Sequence, residues 1–415
     1  MRYKTIRILI AASLWLLTVF LSGCADYAEI ERLAHVVVLG LDRADDQFIK
    51  VTFQIANPQV GSTDRSQAEE EPPSDIITIT ATDIVNAKEL SKTIIPRRMN
   101  FTHLQSIVIS EELARTHQLH EMIAGLIRLP EMRREMNLII SREPAQRFIR
   151  KNKPRLETRP YKYYEFMIDQ WEESGLVPNS TINDYLKALS GELFLAIYAT
   201  TEKVEAPLYE YEDKYKAGEV PTEESDPVQI IGSAVIKQGK MIGVLSGEET
   251  RYSLMLRPDD LYRSQVISFP DPIHKGERVS VHLLRKGAPR VQLDLSGEAP
   301  KIDVTVRMDM QILSIQSMID YVGNQQNIDK LDRFIEDVLE RGTMNFIRKT
   351  QEEYRGEPFL WHLEARKKFW TWDEYNRYDW FSQYPRAEVK VKYDIDVRSF
   401  GKQFQPPKIN EERTR

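Results

Sequence analysis

The 415-residue chain has one cysteine, Cys24, so no intramolecular disulfide can brace it and packing alone must hold the fold. It lacks G-x-x-x-x-G-K-[ST] and G-x-G-x-x-G, the loops that cradle phosphates. It also lacks H-E-x-x-H and the G-x-S-x-G nucleophile elbow. No period recurs along it, which excludes solenoid folds. An excess of basic residues is missing too: 57 Lys and Arg face 63 Asp and Glu, a net charge of −6. That balance argues against nucleic acid as a partner and against charge-driven adhesion to an anionic membrane.

What is present begins at the N-terminus. "MRYKTIRILIAASLWLLTVFLSGC" places Arg2, Lys4 and Arg7 before an apolar run from Ile8 to Leu21 and ends in small residues. The run is shorter than the roughly 20 residues a transmembrane helix needs, and no later segment is long and apolar enough to span. A basic region, an apolar region and a cleavage site make residues 1–23 a signal peptide, so the mature chain is expected to be exported with a charge near −9. Leu21-Ser22-Gly23-Cys24 resembles the lipobox of bacterial lipoproteins. That resemblance implies that the Cys24 thiol takes a diacylglycerol and becomes residue one of a chain tethered by its lipid.

Downstream, "HVVVLGLD" and "QFIKVTFQIA" read as paired strands, and the polar, proline-containing 61–75 as a mobile loop before the strand "IITIT". Helices are expected over "TDIVNAKELSKTI", from Ser110 with its two glutamates, and over "QLHEMIAGLIRLPEM", interleaved with the strands "LQSIVIS" and "MNLIIS". These define an N-terminal α/β domain, 24–150. Residues 151–204 read as a helical middle domain closing in the strand "ELFLAIYAT". Between Glu205 and Pro227, eight acids, two lysines and three prolines read as a linker, 205–227. A C-terminal α+β domain, 228–402, contains a hairpin at Gln238-Gly239, a helix capped by Ser246, four strand-like runs, a long amphipathic helix from Ile328, and a final alternating strand. Residues 403–415 read as a flexible tail. The expected class is therefore α+β and multidomain, with mixed sheets, packed helices and a strand-rich C-terminal half.

The candidates for chemistry are few. His117 and His120 share a helical i, i+3 spacing but have no third ligand of suggestive spacing, so solvent-facing histidines are the better reading. His103 begins a strand without a nameable acid or serine partner and reads as structural. No carboxylate pair stands out among 63 acids. No catalytic, cofactor-binding or metal-binding residue is therefore assigned, and Cys24 as the lipid attachment point is the one site residue. One further feature stands out: ten aromatics between Phe359 and Tyr384, four of the six tryptophans among them, mixed with Arg366, Lys367, Lys368 and Arg377. These are either helix-to-sheet core or a recognition surface, and core is the more common use.

Four blocks, "LSGCADYAEIERLAHVVVLGLD", "RRMNFTHLQSIVISEELA", "IIGSAVIKQGKMIGVLSGEET" and "WFSQYPRAEVKVKYDIDVRSFG", together resemble the Ger(x)C family. These are the lipoprotein C subunits of nutrient germinant receptors in endospore-forming bacteria. Two places depart from the family's usual pattern: Ala25-Asp26-Tyr27 stands where a C-W-D-like start is common, and Leu129-Pro130 where an R-D-x-E-like acid is usual. The resemblance implies three α+β domains in an elongated, curved body and no enzymatic activity. It also implies a lipid anchor on the outer face of the spore inner membrane, and assembly with the integral A and B subunits of the receptor. A solute-binding lipoprotein that delivers a nutrient to a transporter is the main alternative, and an envelope hydrolase the third.

Overall fold

The computed structural model describes residues 32–45, 47–57, 72, 74–154, 157, 162–164, 166–167, 170, 174–259, 264–321 and 323–399, with residues 3, 6 and 7. Cys24, most of the 61–75 loop, part of the helical middle domain and the 403–415 tail lie outside these residues. The class is α+β, as expected: among the described residues the strands form two sheets with helices packed on them.

The first sheet is mixed. β1 (Leu33–Arg43), β2 (Ile49–Ala56) and β3 (Ser74–Ala81) pair antiparallel. β1 then pairs in parallel with the short β4 (Arg98–Asn100) and with β5 (Ser106–Ser110). β5 pairs in parallel with β6 (Asn137–Ser141), and β6 with β7 (Phe194–Thr200). Beyond β7 the direction reverses into β8 (Gln229–Lys237) and β9 (Lys240–Leu245). Short continuous apolar runs such as "SIVIS" mark β5 to β7 as strands covered on both faces. One face carries α1 (Ile84–Ser91), α2 (Glu111–Ala114), α3 (Gln118–Leu126) and α5 (Ile182–Ala188). The other carries α4 (Ala145–Lys151), whose Ala145, Phe148 and Ile149 pack on Val38, Val108 and Ile139. Local signals start the helices where expected: Asp83 accepts from the backbone N–H of Asn86, and Thr181 from that of Asp184.

β8 and β9 differ from the sequence expectation. Read from composition they come after a linker and open the C-terminal part, but they extend the first sheet through β7. The acidic 205–227 segment is a packed strap. Tyr211, Tyr215 and Ala217 are buried, and Asp213 meets Arg251 at 3.0 Å with both side chains almost fully buried. Arg251 lies on α6 (Gly247–Met255), whose Gly247 N–H donates to the Tyr215 carbonyl at 3.0 Å. A side chain at Gly247 would meet the Asp213 carbonyl oxygen 2.9 Å from its Cβ, so the strap approaches as closely as it does because that position is glycine. Composition misleads here because the tyrosines between the acids supply the burial, and one arginine from a later helix neutralises the acid that is buried with them.

The second sheet contains β10 (Ser264–Pro270), β11 (Arg278–Arg285), β12 (Arg290–Asp294) and the long β13 (Lys301–Ile315), all antiparallel, with β14 (Glu388–Ser399) parallel to β13. Strict alternation along "KIDVTVRMDM" puts Ile302, Val304, Val306, Met308 and Met310 on one buried face. α7 (Gln325–Lys349) covers that face through Leu331, Ile335, Leu339 and Phe346. Its Glu340 and Glu336 carboxylates accept from the backbone N–H groups of Tyr393 and Ile395 on β14, which satisfies an edge that would otherwise invite strand pairing.

The two sheets share one core. Leu193, Leu195, Val235 and Leu245 from the β7–β9 end of the first sheet belong to the same buried cluster as Val304, Leu331 and Trp361. Lys237 Nζ donates to the carbonyls of Tyr354 and Arg355, and Lys349 pairs with Glu249 at 2.8 Å. The sheets are fastened by apolar packing with satisfied polar contacts at its margin, not by a lone tether.

Candidate functional site

Where β7 begins, the junction opens into a cleft of about 690 Å³. Its walls combine both halves of the molecule. α5 supplies Asp184 and Lys187, and the turn into β7 supplies Ser190 and Glu192. Arg257 and Asp259 come just after α6, and the aromatic-rich segment supplies His362, Arg366, Trp372, Tyr375, Trp380 and Phe381. That segment folds as α8 (Trp361–Arg366), α9 (Trp372–Tyr378) and α10 (Trp380–Gln383). Thr371 and Glu374 close a capping box at the start of α9. Asp379, in the left-handed region with φ 52°, turns the chain sharply into α10. Gly191 has φ +133°, and a Cβ there would lie 2.7 Å from the Phe381 ring, so the turn into β7 passes beneath this ring only because the residue is glycine.

At the floor is an acid–histidine–acid row. His362 Nε2 lies 3.0 Å from Glu192 Oε2, and His362 Nδ1 lies 3.1 Å from Glu357 Oε1. Glu357 also accepts from the backbone N–H groups of Phe359 at 2.6 Å and His362 at 2.8 Å. Burial opposes a charge on His362, but the hydrogen bond and charge of Glu357, with Glu192 beyond, hold its pKa above the ordinary histidine value. Burial, with Glu357 nearby, pushes the Glu192 carboxyl up to about 7 against the pull of His362. Both groups therefore hold protons more tightly in the fold than in the unfolded chain, and the contribution of the row to stability is lost as pH rises through their folded values. The thermal midpoint is expected to fall by several degrees between about pH 6 and pH 8, on the scale of about 1 kcal/mol. Glu192→Gln combined with His362→Gln should flatten that dependence, whereas His362→Gln alone leaves the raised Glu192 carboxyl to titrate; a double-variant profile identical to that of the unsubstituted chain would refute the assignment.

Chemically, the row can hold and share a proton. The lining hydroxyl of Ser190 donates to the Lys187 carbonyl at 3.1 Å. Arg257 pairs with Asp259 at 2.9 Å, Lys187 pairs with Asp184 at 3.1 Å, and Arg366 lies 5.2 Å from the Trp372 ring centroid. The arrangement reads as an electrostatic lock between the two sheets. No sequence signal points to it, because Glu192 and His362 carry no motif and lie far apart in the chain.

The structure disperses the residues that the sequence singles out. His117 precedes α3, while His120 Nδ1 lies 3.1 Å from the Tyr185 hydroxyl and its side chain packs over Gly239. Among the described residues no group of three or more His, Cys, Asp or Glu side chains could hold a metal. His103 stacks edge-on against His35, with ring centroids 4.9 Å apart. The aromatic block divides. Phe359, Trp361, Trp380 and Tyr384 are buried, whereas Trp370 is 95% and Trp372 59% exposed.

Comparison with known proteins places this geometry in a family. Residues 26–200 match the model described as spore germination protein N-terminal domain, and residues 231–401 the one described as spore germination B3/GerAC like, C-terminal. Spore germination protein KC of Bacillus subtilis (strain 168) is 23% identical over 96% of this chain and 97% of its own length, and spore germination protein B3 of the same strain is 24% identical over 92% and 95%. A crystal structure of the GerBC protein superimposes with a TM-score of 0.53 at 17% identity, covering 86% of this chain and 96% of that one, which supports the fold.

Proposed function

The chain belongs to the Ger(x)C family of spore germination proteins, and from that premise we propose that it is the lipid-anchored C subunit of a nutrient germinant receptor, required for nutrient-triggered germination. The observation that carries this reading is the extent of the match: two family models in tandem over 26–200 and 231–401, with relatives aligned nearly end to end. In this reading residues 1–23 are the signal peptide, Cys24 carries the lipid, and the chain sits on the outer face of the spore inner membrane. It works there as a non-catalytic scaffold or coupling element between the integral A and B subunits.

The shared core supports the coupling role. A body whose two sheets interlock through Leu193, Leu195, Val235 and Trp361 transmits a displacement at one surface to another without a hinge to absorb it. It also weighs against the solute-binding alternative, which calls for two lobes free to close on a ligand. Deletion of the gene in a strain without a compensating paralogue should abolish germination by the cognate nutrient while leaving nutrient-independent germination intact. A deletion strain that responds to every nutrient as its parent does would refute the proposal.

A further inference from the structure

β1, β5, β6 and β7 run parallel, so all four begin at one end of the first sheet. The segments that feed this end are rich in arginine. Arg97 and Arg98 precede and open β4, where Arg98 pairs in register with Leu33 at the start of β1. Arg128, Arg133 and Arg134 lie in the connection from α3 to β6. All five are exposed, none closes an ion pair among the described residues, and, against the effect of burial, the charge of Arg98 helps Lys88 to lower the Glu131 carboxyl. The acids in the same segments are Glu131, held by Lys88 at 2.9 Å, and the exposed Glu135. At the beginning of β7 the same end bears the cleft, whose rim includes Trp372, 59% exposed, and Leu363, 47% exposed; Trp370, two residues before Trp372, is 95% exposed. Lys367 and Lys368 precede these tryptophans, and the acids around them are Glu364, bonded to Lys367, Glu374, engaged in the capping box, and the exposed Asp373 and Asp379.

The chain reaches this end from Cys24. Only nine residue steps separate Cys24 from Leu33, a span of at most about 30 Å even when fully extended. A lipid on Cys24 therefore keeps the starting end of β1 within that distance of the bilayer. Net charge does not reveal this feature: the whole chain is acidic, but a group of exposed arginines lies at the end to which the Cys24 tether leads. Exposed arginines favour anionic headgroups, and tryptophan favours the membrane–water interface.

We propose that this end of the molecule docks on an anionic phospholipid bilayer, with Arg97, Arg98, Arg133 and Arg134 over the headgroups and Trp370 seated in the interface at the rim. The lipid on Cys24 then supplies attachment and the basic end supplies orientation. This inference rests on the lipid-anchored reading for its geometry, but it is tested without the lipid, so the two can fail separately.

The test uses the chain from residue 24 with Cys24→Ser, which retains every strand and helix labelled here. It is sedimented with phosphatidylcholine vesicles, with and without phosphatidylglycerol, at low and high salt. Binding is expected only to the anionic vesicles, weakening with salt. Replacement of Arg97, Arg98, Arg133 and Arg134 by Gln should reduce partitioning by about fivefold per arginine, while Arg142→Gln with Arg147→Gln, after β6 at the opposite end, should leave it unchanged. Brominated lipid should quench tryptophan fluorescence in the bound chain, and Trp370→Ala should reduce that quenching. No salt-sensitive binding to anionic vesicles, or equal loss from the opposite-end pair, would overturn the proposal. Binding confined to native membranes that carry receptor subunits would overturn it too, and would put an acidic protein surface in place of the lipid.

Discussion

Cys24→Ser is expected to move the chain from the membrane fraction to the soluble fraction and to abolish the nutrient response, with the fold unchanged. Each buried methylene of an acyl chain contributes about 0.8 kcal/mol, so one chain holds a protein marginally and two hold it stably. In the lipid-anchored reading proposed above, the serine variant loses both chains of the diacylglycerol at once, and no arginine cluster replaces that, because surface charge attraction at about 1 kcal/mol per residue is reversible and weakened by salt. Among the described residues no helix is long and apolar enough to cross a membrane and substitute for the lipid. A weak, salt-sensitive residue of binding through Arg97, Arg98, Arg133 and Arg134 should remain. The measurements are fractionation of spore membranes and loss of optical density on nutrient addition. Full retention in the membrane fraction at high salt, with a normal response, would show that contacts with other receptor subunits hold the chain and would defeat the lipid anchor.

Local structure is legible in the residues. The alternation in "RAEVKVKYDIDVRSFG" gives β14, the apolar spacing from Ile328 gives α7, and Ser246 with Glu249 gives the capping box that starts α6. Each depends on neighbours within a few positions, and the backbone obeys them. The features that escape such reading depend on distant partners. The strap from 205 to 227 looks solvated when its acids are counted without Arg251, and β8 reads as part of the C-terminal half because nothing in its own sequence names β7 as its neighbour. The cleft is invisible for the same reason. Glu192 is one acid among 63, and its pairing with His362 exists only once the two sheets have closed on their common core.

The same closure gives the strap an energetic role. Burial raises the Asp213 carboxyl above its ordinary pKa while Arg251 pulls it down, so the strap is held by a pair whose separation would leave a charge in the interior. An acid-rich segment thus becomes a structural brace across the strands it was expected merely to connect.

Trp361→Ala is expected to cost about 3–5 kcal/mol and Trp372→Ala about 1 kcal/mol or less, although both lie in one aromatic run. Trp361 is fully buried, its ring 4.5 Å from that of Phe359 and 6.3 Å from that of Tyr384, and its indole N–H donates to the Leu256 carbonyl at 3.2 Å. Alanine there leaves a cavity between the two sheets and an acceptor without its donor. At about 2–4 °C per kcal/mol for a body of this size, the midpoint should drop by about 10 °C. Trp372 offers a ring face to Arg366 and stands 5.7 Å from the Tyr375 ring, but it is more than half exposed, so its loss should move the midpoint little. If Trp370 and Trp372 belong to the docking rim, the double alanine variant should instead weaken association with anionic vesicles at unchanged stability. Equal destabilisation by Trp361→Ala and Trp372→Ala would mean that the run is one core throughout, and the exposed pair would then have no part in recognition. In the coupling role proposed above, the division separates a buried junction stiff enough to carry a displacement from an exposed rim free to dock on the bilayer.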